Sequence, residues 1–286
     1  MNEDLRPISV VIPAHNESLG IQRLLRDLQA GSDPSVEVIV VCNGCTDDTA
    51  LRAQSVHPAI VVVGLPEPSK SAALAAGDRL ATHAYRAWID ADVTIGADDL
   101  ARLVGALGDA IHVAAPEREL ILTDSSVIVR WYYDVWRALP QVSSGVFGRG
   151  VVVMTPEGHA RVVELPHVMS DDLAVSESFG ADERVVVPAA RVQIRAPKGV
   201  ADLVRRRVRV ATGNAQLDAI GVRTQSARTT PTVLLRLAAS RPALAPKVLV
   251  FLSVTAVARV GARRRIRRGD FTTWLRDESS RDPSTR

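Results

Sequence analysis

The stretch Ala87-Trp88-Ile89-Asp90-Ala91-Asp92-Val93-Thr94-Ile95 decides how the chain is read. Its apolar approach, Ala87 to Ile89, has the character of a buried strand. Two carboxylates follow with one residue between them. On an extended backbone Asp90 and Asp92 point to the same side, where they repel unless a cation lies between them. Oxygen donors in this number suit Mg²⁺ or Mn²⁺, which proteins hold with one or two carboxylates while substrate phosphates complete the shell. A solvated turn is the competing reading, and Gly96, Ala97, Asp98 and Asp99 would suit one.

Upstream, the pattern repeats. Ile8 to Ile12 is a short β-branched apolar run of the kind found in buried parallel strands. Pro13 ends it, and Pro13 to Ser18 is a polar loop. Leu19 to Leu28 carries Ile21, Leu24, Leu25 and Leu28 at helical spacing. Val36 to Val41 is a second strand, with the polar loop Cys42 to Thr49 and a helix from Thr49 to Val56 that Thr46 or Asp47 would cap. Ala59 to Gly64 is a third strand, Lys70 follows a turn, and Ala72 to Ala81 reads as a helix. Strand and helix thus alternate up to Asp90, with polar residues at each strand's carboxyl end. This predicts a parallel α/β sheet whose ligand sits at those ends. A dinucleotide fold is disfavoured, because no Gly-x-Gly-x-x-Gly follows the first strand.

Downstream, the spacing predicts a helix over 98–110, a strand near Ile111 to Ala115, a helix over 117–138 and a flexible glycine-rich segment over 143–150. The Trp131, Tyr132, Tyr133 and Trp136 cluster reads as core. Val151 to Met154, Val185 to Val187 and Val192 to Arg195 read as strands. Asp171 and Asp172 precede a helix, and Leu203 to Leu217 is basic. From Val233 to Val260 the chain is almost entirely apolar. Its longest uncharged run, Val248 to Ala258, falls short of the roughly 20 residues that span a bilayer, and an arginine cluster follows. Either an interfacial helix or helices packed on the rest of the protein would read this way.

Of 286 residues, 47% are hydrophobic and 23% charged, which excludes a disordered chain. Aromatics are only 4%, so Val, Leu, Ile and Ala must build the core. The net charge of +3 concentrates at 205–209 and 263–268, blocks that meet phosphates or anionic lipid. Cys42 and Cys45 have no second ligand pair for zinc and read as small residues flanking a turn. The start, Met1 to Arg6, is polar and unlike a signal peptide, so a cytoplasmic location is expected, peripheral on the inner face of the cell membrane.

Together these segments resemble the inverting family 2 glycosyltransferases of GT-A fold, over roughly Ile8 to Leu217. Val10-Val11-Ile12-Pro13-Ala14-His15-Asn16-Glu17 is similar to the family's opening strand and nucleotide loop, and Val41 to Thr49 to its second loop. Ser69 to Leu74 resembles its Gly-Lys-x-x-Ala segment, Asp90-Ala91-Asp92 its metal-binding Asp-x-Asp, and Asp171-Asp172 its Glu-Asp pair. Arg206-Arg207-Val208-Arg209-Val210 is similar to its Gln-x-x-Arg-Trp element. Cys42 and Asn43 stand where the family has acidic residues that help read the base. An Asn amide donates as well as accepts, so guanine and thymine join uracil as candidates. Val210 in place of Trp removes a stacking surface.

The resemblance implies a GT-A type, mostly parallel central sheet with flanking helices over 1–217. A C-terminal helical and basic region, membrane-associated, would follow over 218–286. It implies transfer of a sugar from a nucleotide-diphosphate sugar to an acceptor hydroxyl, in bacterial polysaccharide or glycolipid assembly. Asp172 would be the base, and Asp92 would hold Mg²⁺ or Mn²⁺. Pro13, Ala14, Glu17, Asn43, Asp47, Lys70, Asp90, Ala91, Arg206 and Arg209 would bind the donor. His15 and His167 read as wall residues. The expected partners are the donor, a sugar or lipid-linked acceptor and an anionic membrane surface, but not nucleic acid. A haloacid-dehalogenase-like phosphatase is one alternative, since Asp90-Ala91-Asp92-Val93-Thr94 fits its Asp-x-Asp-x-Thr. That motif would normally open the domain, and here several strand-loop units precede it. A sugar nucleotidyltransferase would need a glycine-rich loop after strand one. A non-catalytic, membrane-associated sugar-binding protein would not need both Asp92 and Asp172.

Overall fold

The computed structural model describes residues 6–269 apart from His167 and Ser226. Two compact units emerge from the packing. The first comprises residues up to Leu120, Gly148–Leu165 and Phe179–Ile194; the second comprises Ile121–Phe147, Pro166–Ser178 and residues from Arg195 on.

The first unit alternates strand and helix as its sequence requires: β1 (Ile8–Ala14), α1 (Ile21–Asp27), β2 (Val36–Asn43), α2 (Thr49–Gln54), β3 (Val61–Leu65), α3 (Lys70–Leu80) and β4 (Tyr85–Ile89). There follow β5 (Val93–Thr94), α4 (Ala97–Gly105) and β6 (Val113–Ile121). Next come α5 (Val127–Trp136), α6 (Pro140–Ser144), β7 (Val151–Met154), α7 (Pro156–Val163), α8 (Asp171–Glu177) and β8 (Arg184–Arg195). The chain continues through α9 (Val200–Ala219), α10 (Pro231–Ser240) and α11 (Ala245–Arg267), with a 3-10 turn at Pro242–Leu244 before the last.

Among the described residues one eight-stranded sheet runs in the order β3-β2-β1-β4-β7-β6-β8-β5. The half from β3 to β4 is parallel, and β7 is antiparallel to both β4 and β6. The parallel strands are apolar on both faces because helices cover both. Val10, Ile12, Val38 and Val40 join Ile21, Leu24 and Leu25 of α1 and Leu100 and Leu103 of α4 in one core. Ile39 and Val41, pointing the other way, meet Ala73 and Ala76 of α3. The strand order reverses direction of progression at β1, with β2 on one side and β4 on the other. That is a topological switch point, the place where ligands of open α/β sheets sit at the strands' carboxyl ends, and it lies between the loop after β1 and the Asp90–Asp92 turn.

Several expectations need correction. Residues 117–121 extend β6 rather than beginning a helix, and α5 starts only at Val127, where Ser126 caps it by accepting from Val129 N. The two strands expected near 185 and 192 are one long strand, β8. Residues 143 and 144 close the short helix α6. A helix unforeseen from the spacing, α7, begins at the Thr155 cap with Pro156 in its first turn. The apolar C-terminal segment is divided between α10 and α11, and α11 runs unbroken for 23 residues because Pro246 falls in its first turn, where a missing N–H costs nothing.

In the second unit α11 packs along α5 and α9. The Phe251 ring stacks on Tyr132 at 5.0 Å between centroids, and Lys247 pairs with Asp134 at 2.6 Å. Tyr132 and Tyr133 are core as expected, Trp136 is half-buried with its ring against Tyr133, and Trp131 is exposed.

Candidate active site

The loops after β1 and β2 are stitched together by side chains. Asn16 adopts a left-handed φ of 51°, unusual for a residue other than glycine. Its side-chain Oδ1 accepts from Thr46 N at 2.8 Å. Thr49 Oγ1 accepts from Glu17 N at 2.8 Å, and Glu17 itself is buried. Asp47 takes the Thr49 amide and hydroxyl on one oxygen and Ser18 N on the other. Burial works to raise the Asp47 pKa, but these hydrogen bonds outweigh it and hold the carboxyl below its ordinary value.

Asn43 lies at the centre of this arrangement and is 5% exposed. Its Nδ2 donates to Ala14 O at 2.9 Å and its Oδ1 accepts from Ser69 N at 3.1 Å. The residue therefore joins three loops through both ends of one amide. His15 Nδ1 contacts the Asn43 carbonyl oxygen at 2.5 Å. Cys45 Sγ accepts from Asn16 N at 3.4 Å. Both cysteines are free, and burial, with the Cys45 thiol beside it, pushes Cys42 up to about 12. They flank a turn, as read from the sequence.

Ser69 caps α3 by accepting from Ala72 N. The next residue, Lys70, reaches Asp90 with Nζ 2.8 Å from Oδ1. The Asp-x-Asp is not on extended backbone as the sequence reading assumed. Asp90 to Val93 forms a tight turn, with Val93 N donating to Asp90 O at 3.4 Å. Asp90 N donates to Gly150 O at 2.7 Å. Gly150 has a φ of 66°, and a Cβ there would lie 2.4 Å from Val93 Cγ1, so the turn can seat against it only without a side chain. Arg149, fully buried, donates to Pro116 O at 2.8 Å and fixes this segment from behind. Burial lowers its pKa to about 10 against the pull of Glu117. Asp92 is exposed.

Pro13, Ala14, Glu17, Asn43, Asp47, Lys70, Asp90, Ala91 and Asp92 are thus gathered at one end of the parallel strands. Gly20, in the segment leading into α1, comes within 3.3 Å of Ala91 O by its Cβ position. The residues that sequence reasoning missed are Ser69, Thr49 and the Arg149–Gly150 pair. The only signal for the last was the glycine spacing at 148 and 150.

A donor set of the exposed Asp92 and the half-buried Asp90, with no group of three His, Cys, Asp or Glu side chains among the described residues, suits a hard divalent ion completed by substrate oxygens rather than a closed protein cage.

Asp172, Arg206 and Arg209 belong to the second unit. Asp171 and Asp172 form the first turn of α8; Asp172 is exposed and Asp171 half-buried. The start of α8 rests on α9. Met169 N donates to Gln216 Oε1 at 3.0 Å, and a Cβ on Gly213 would meet Ser170 N at 2.6 Å. Arg209 and Arg206 precede Gly213 by one and two turns, so all three share one face of α9. His167 lies outside the described residues.

Residues 9–141 match the family model described as glycosyl transferase family 2. That stretch, a little under half of the chain, is similar to the family 2 glycosyltransferases. An uncharacterized glycosyltransferase of Mycobacterium bovis and its counterpart in Mycobacterium tuberculosis are each 40% identical over 111 residues, 39% of this chain and 48% of theirs. The match thus spans about half the length of those curated relatives. The fold is similar to a mannosyltransferase from Pyrobaculum calidifontis solved with GDP-mannose and Mn²⁺, with a TM-score of 0.62 at 19% identity over 92% of this chain and 76% of that one. It is also similar to the glucosyl-3-phosphoglycerate synthase of M. tuberculosis, solved with Mn²⁺, UDP-glucose and phosphoglyceric acid. There the TM-score is 0.53 at 22% identity, over 77% of this chain and 82% of the neighbour. The fold is therefore the GT-A type mixed α/β architecture expected from the sequence. The family match begins at the first strand and places Asp90 in the fourth strand-loop unit, which disfavours the phosphatase alternative.

Proposed function

We propose that this protein is an inverting glycosyltransferase that moves a sugar from a nucleotide-diphosphate sugar to an acceptor hydroxyl. The reading is carried by one observation, the convergence of the β1 and β2 loops, Lys70 and the Asp90–Asp92 turn on the switch point of the sheet. The nucleoside lies against Pro13, Ala14, Glu17, Asn43 and Asp47. Lys70 balances the charge of the diphosphate and Asp90, with Ala91 turning the backbone toward it. Asp92 holds Mg²⁺ or Mn²⁺, supported by the chemistry of its donors and by the ions in the neighbours named above. When bound, such an ion supplies Lewis-acid stabilisation of the charge that builds on the leaving nucleoside diphosphate.

In transfer, the acceptor oxygen forms a bond to the anomeric carbon from the face opposite the diphosphate. The bond from that carbon to the phosphate oxygen breaks, and the diphosphate leaves with the electron pair. The acceptor proton passes to the Asp172 carboxylate, which acts as general base. Arg206 and Arg209 meet the phosphates of donor or acceptor. Residues 1–217 form the transferase domain in this reading, and 218–286 a helical region. The acceptor is a sugar or lipid-linked hydroxyl of bacterial polysaccharide or glycolipid assembly, met at the cytoplasmic face of the membrane.

A donor screen followed by two variants tests this. Asp92→Asn should lose Mn²⁺-dependent binding of a nucleoside diphosphate. Asp172→Asn should bind it normally yet transfer at least ~10²-fold more slowly. Full transfer by Asp172→Asn would remove it as the base, and tight Mn²⁺-dependent binding by Asp92→Asn would remove the metal assignment.

A further inference from the structure

The helix α11 has two apolar faces. One is used: Val248, Phe251, Val254, Ala258 and Ala262 recur every three or four residues and are buried. Gly261 lets α9 approach, since a Cβ there would lie 2.7 Å from Val208 Cγ2. The other face is exposed. Leu249 is 67% exposed, Leu252 45%, Val257 55% and Val260 46%, and their spacing sets them along the outward side. The same side continues into Arg263, Arg264 and Arg267, all exposed. On α10, which packs on α11, Leu235 is 71% exposed. Isolated exposed aliphatics are ordinary, but a continuous stripe of them marks a contact surface.

Charge selects the occupant. Between Asp218 and Asp270 the chain has no acidic residue and eleven basic ones. A second copy of this surface would offer no carboxylate to pair with those arginines. Nucleic acid would meet the charge but not the Leu and Val stripe. An anionic bilayer meets both, taking the aliphatic side chains into its interface and the arginines among its head groups. The helix is long and apolar enough to cross a membrane by composition. Its covered face and the exposed Arg259 within the apolar run favour lying flat.

We propose that α11 docks lengthwise on an anionic lipid surface through Leu249, Leu252, Val257 and Val260, with Arg263, Arg264 and Arg267 held by lipid phosphates. This gives the peripheral location proposed above a defined surface, and its test needs no transfer to occur. Full-length protein is sedimented with phosphatidylcholine vesicles, with and without phosphatidylglycerol, at low and high salt. The expected result is pelleting with the anionic vesicles at low salt. Arg263→Glu/Arg264→Glu/Arg267→Glu should bind them roughly a hundredfold more weakly. Leu249→Glu/Val260→Glu should lose the part of the binding that survives high salt, which does not screen apolar burial. All five positions are exposed, so thermal melts should match wild type; should a variant fail to fold, the wild-type comparison between vesicle types still decides.

Three results would overturn the proposal. One is no pelleting with anionic vesicles at low salt. Another is protein from bacterial membranes that salt and alkali leave behind and only detergent extracts, which is a spanning helix. The third is a dimer in solution that Leu249→Glu/Val260→Glu splits, which makes a second copy the occupant.

Discussion

At the scale of single residues, Asn43 shows how a candidate ligand-reading side chain can already be engaged. Its amide joins Ala14 O to Ser69 N inside the protein. Ser69 is followed directly by Lys70, which holds Asp90. Asn43→Ala leaves Ser69 N without its acceptor and Ala14 O with only the Cys45 thiol at 3.5 Å, and an unpaired buried group costs about 1–3 kcal/mol. It should lower the melting temperature and weaken nucleotide binding together. A variant that melts like wild type would show that the three loops do not depend on this bond. Asp47 makes a prediction with a sign. Its folded pKa is depressed, so its contribution to stability is complete above the unfolded value of about 3.9 and is lost as pH falls through the folded value. Asp47→Asn should therefore be less stable than wild type near neutrality, with the difference shrinking in acid. Denaturation midpoints at both pH values check it, and a gap that stays constant would sink it.

At the scale of elements, the placement of Asp172 depends on a helix crossing. Gly213 lies in the middle of α9, where glycine costs about 1 kcal/mol against alanine. Replacing it would be a gain in propensity alone. The added Cβ, however, would lie 2.2 Å from Ser170 Oγ and 2.6 Å from Ser170 N. The hydroxyl can rotate, but the backbone nitrogen at the start of α8 cannot give way without moving the helix. Overpacking of this kind costs about 1–3 kcal/mol, so it outweighs the propensity gain. Gly213→Ala should destabilise the protein and lower kcat more than the donor KM, because it shifts the turn bearing Asp172. An unchanged kcat would separate α8 from the chemistry.

At the scale of the whole molecule, the C-terminal helices are both packing elements and a surface. The second unit gathers segments from three parts of the chain, and α11 covers α5 and α9 within it. Val248, Phe251 and Val254 are buried there, each worth roughly 1.5–3 kcal/mol. Together they approach the entire stability of a typical domain, about 5–15 kcal/mol. Deleting residues from Thr232 onward should abolish cooperative unfolding of this unit, as followed by near-ultraviolet circular dichroism through Tyr132, Tyr133 and Trp136. A truncated chain that retains a sharp melt would make these helices an appendage.

What the sequence by itself determined is the first half of the fold and which polar residues fall at the carboxyl ends of its parallel strands. Buried parallel strands must be apolar on both faces, and β1, β2 and β4 announce themselves by that. The loops at their ends are polar, so Asn43, Lys70, Asp90 and Asp92 stand out against the apolar runs. Only the tertiary structure decided that β6 and β8 are single long strands. Their outer halves alternate too weakly to be told from helix or loop, and pairing across the sheet supplies the missing hydrogen bonds. The tight turn at Asp90, seated on Gly150, was hidden for a related reason, since its partner lies sixty residues away in the chain. The two faces of α11 were equally invisible in a run that is apolar nearly all round. Which side is covered depends on Tyr132 and Val208, residues brought to it by folding and not by spacing.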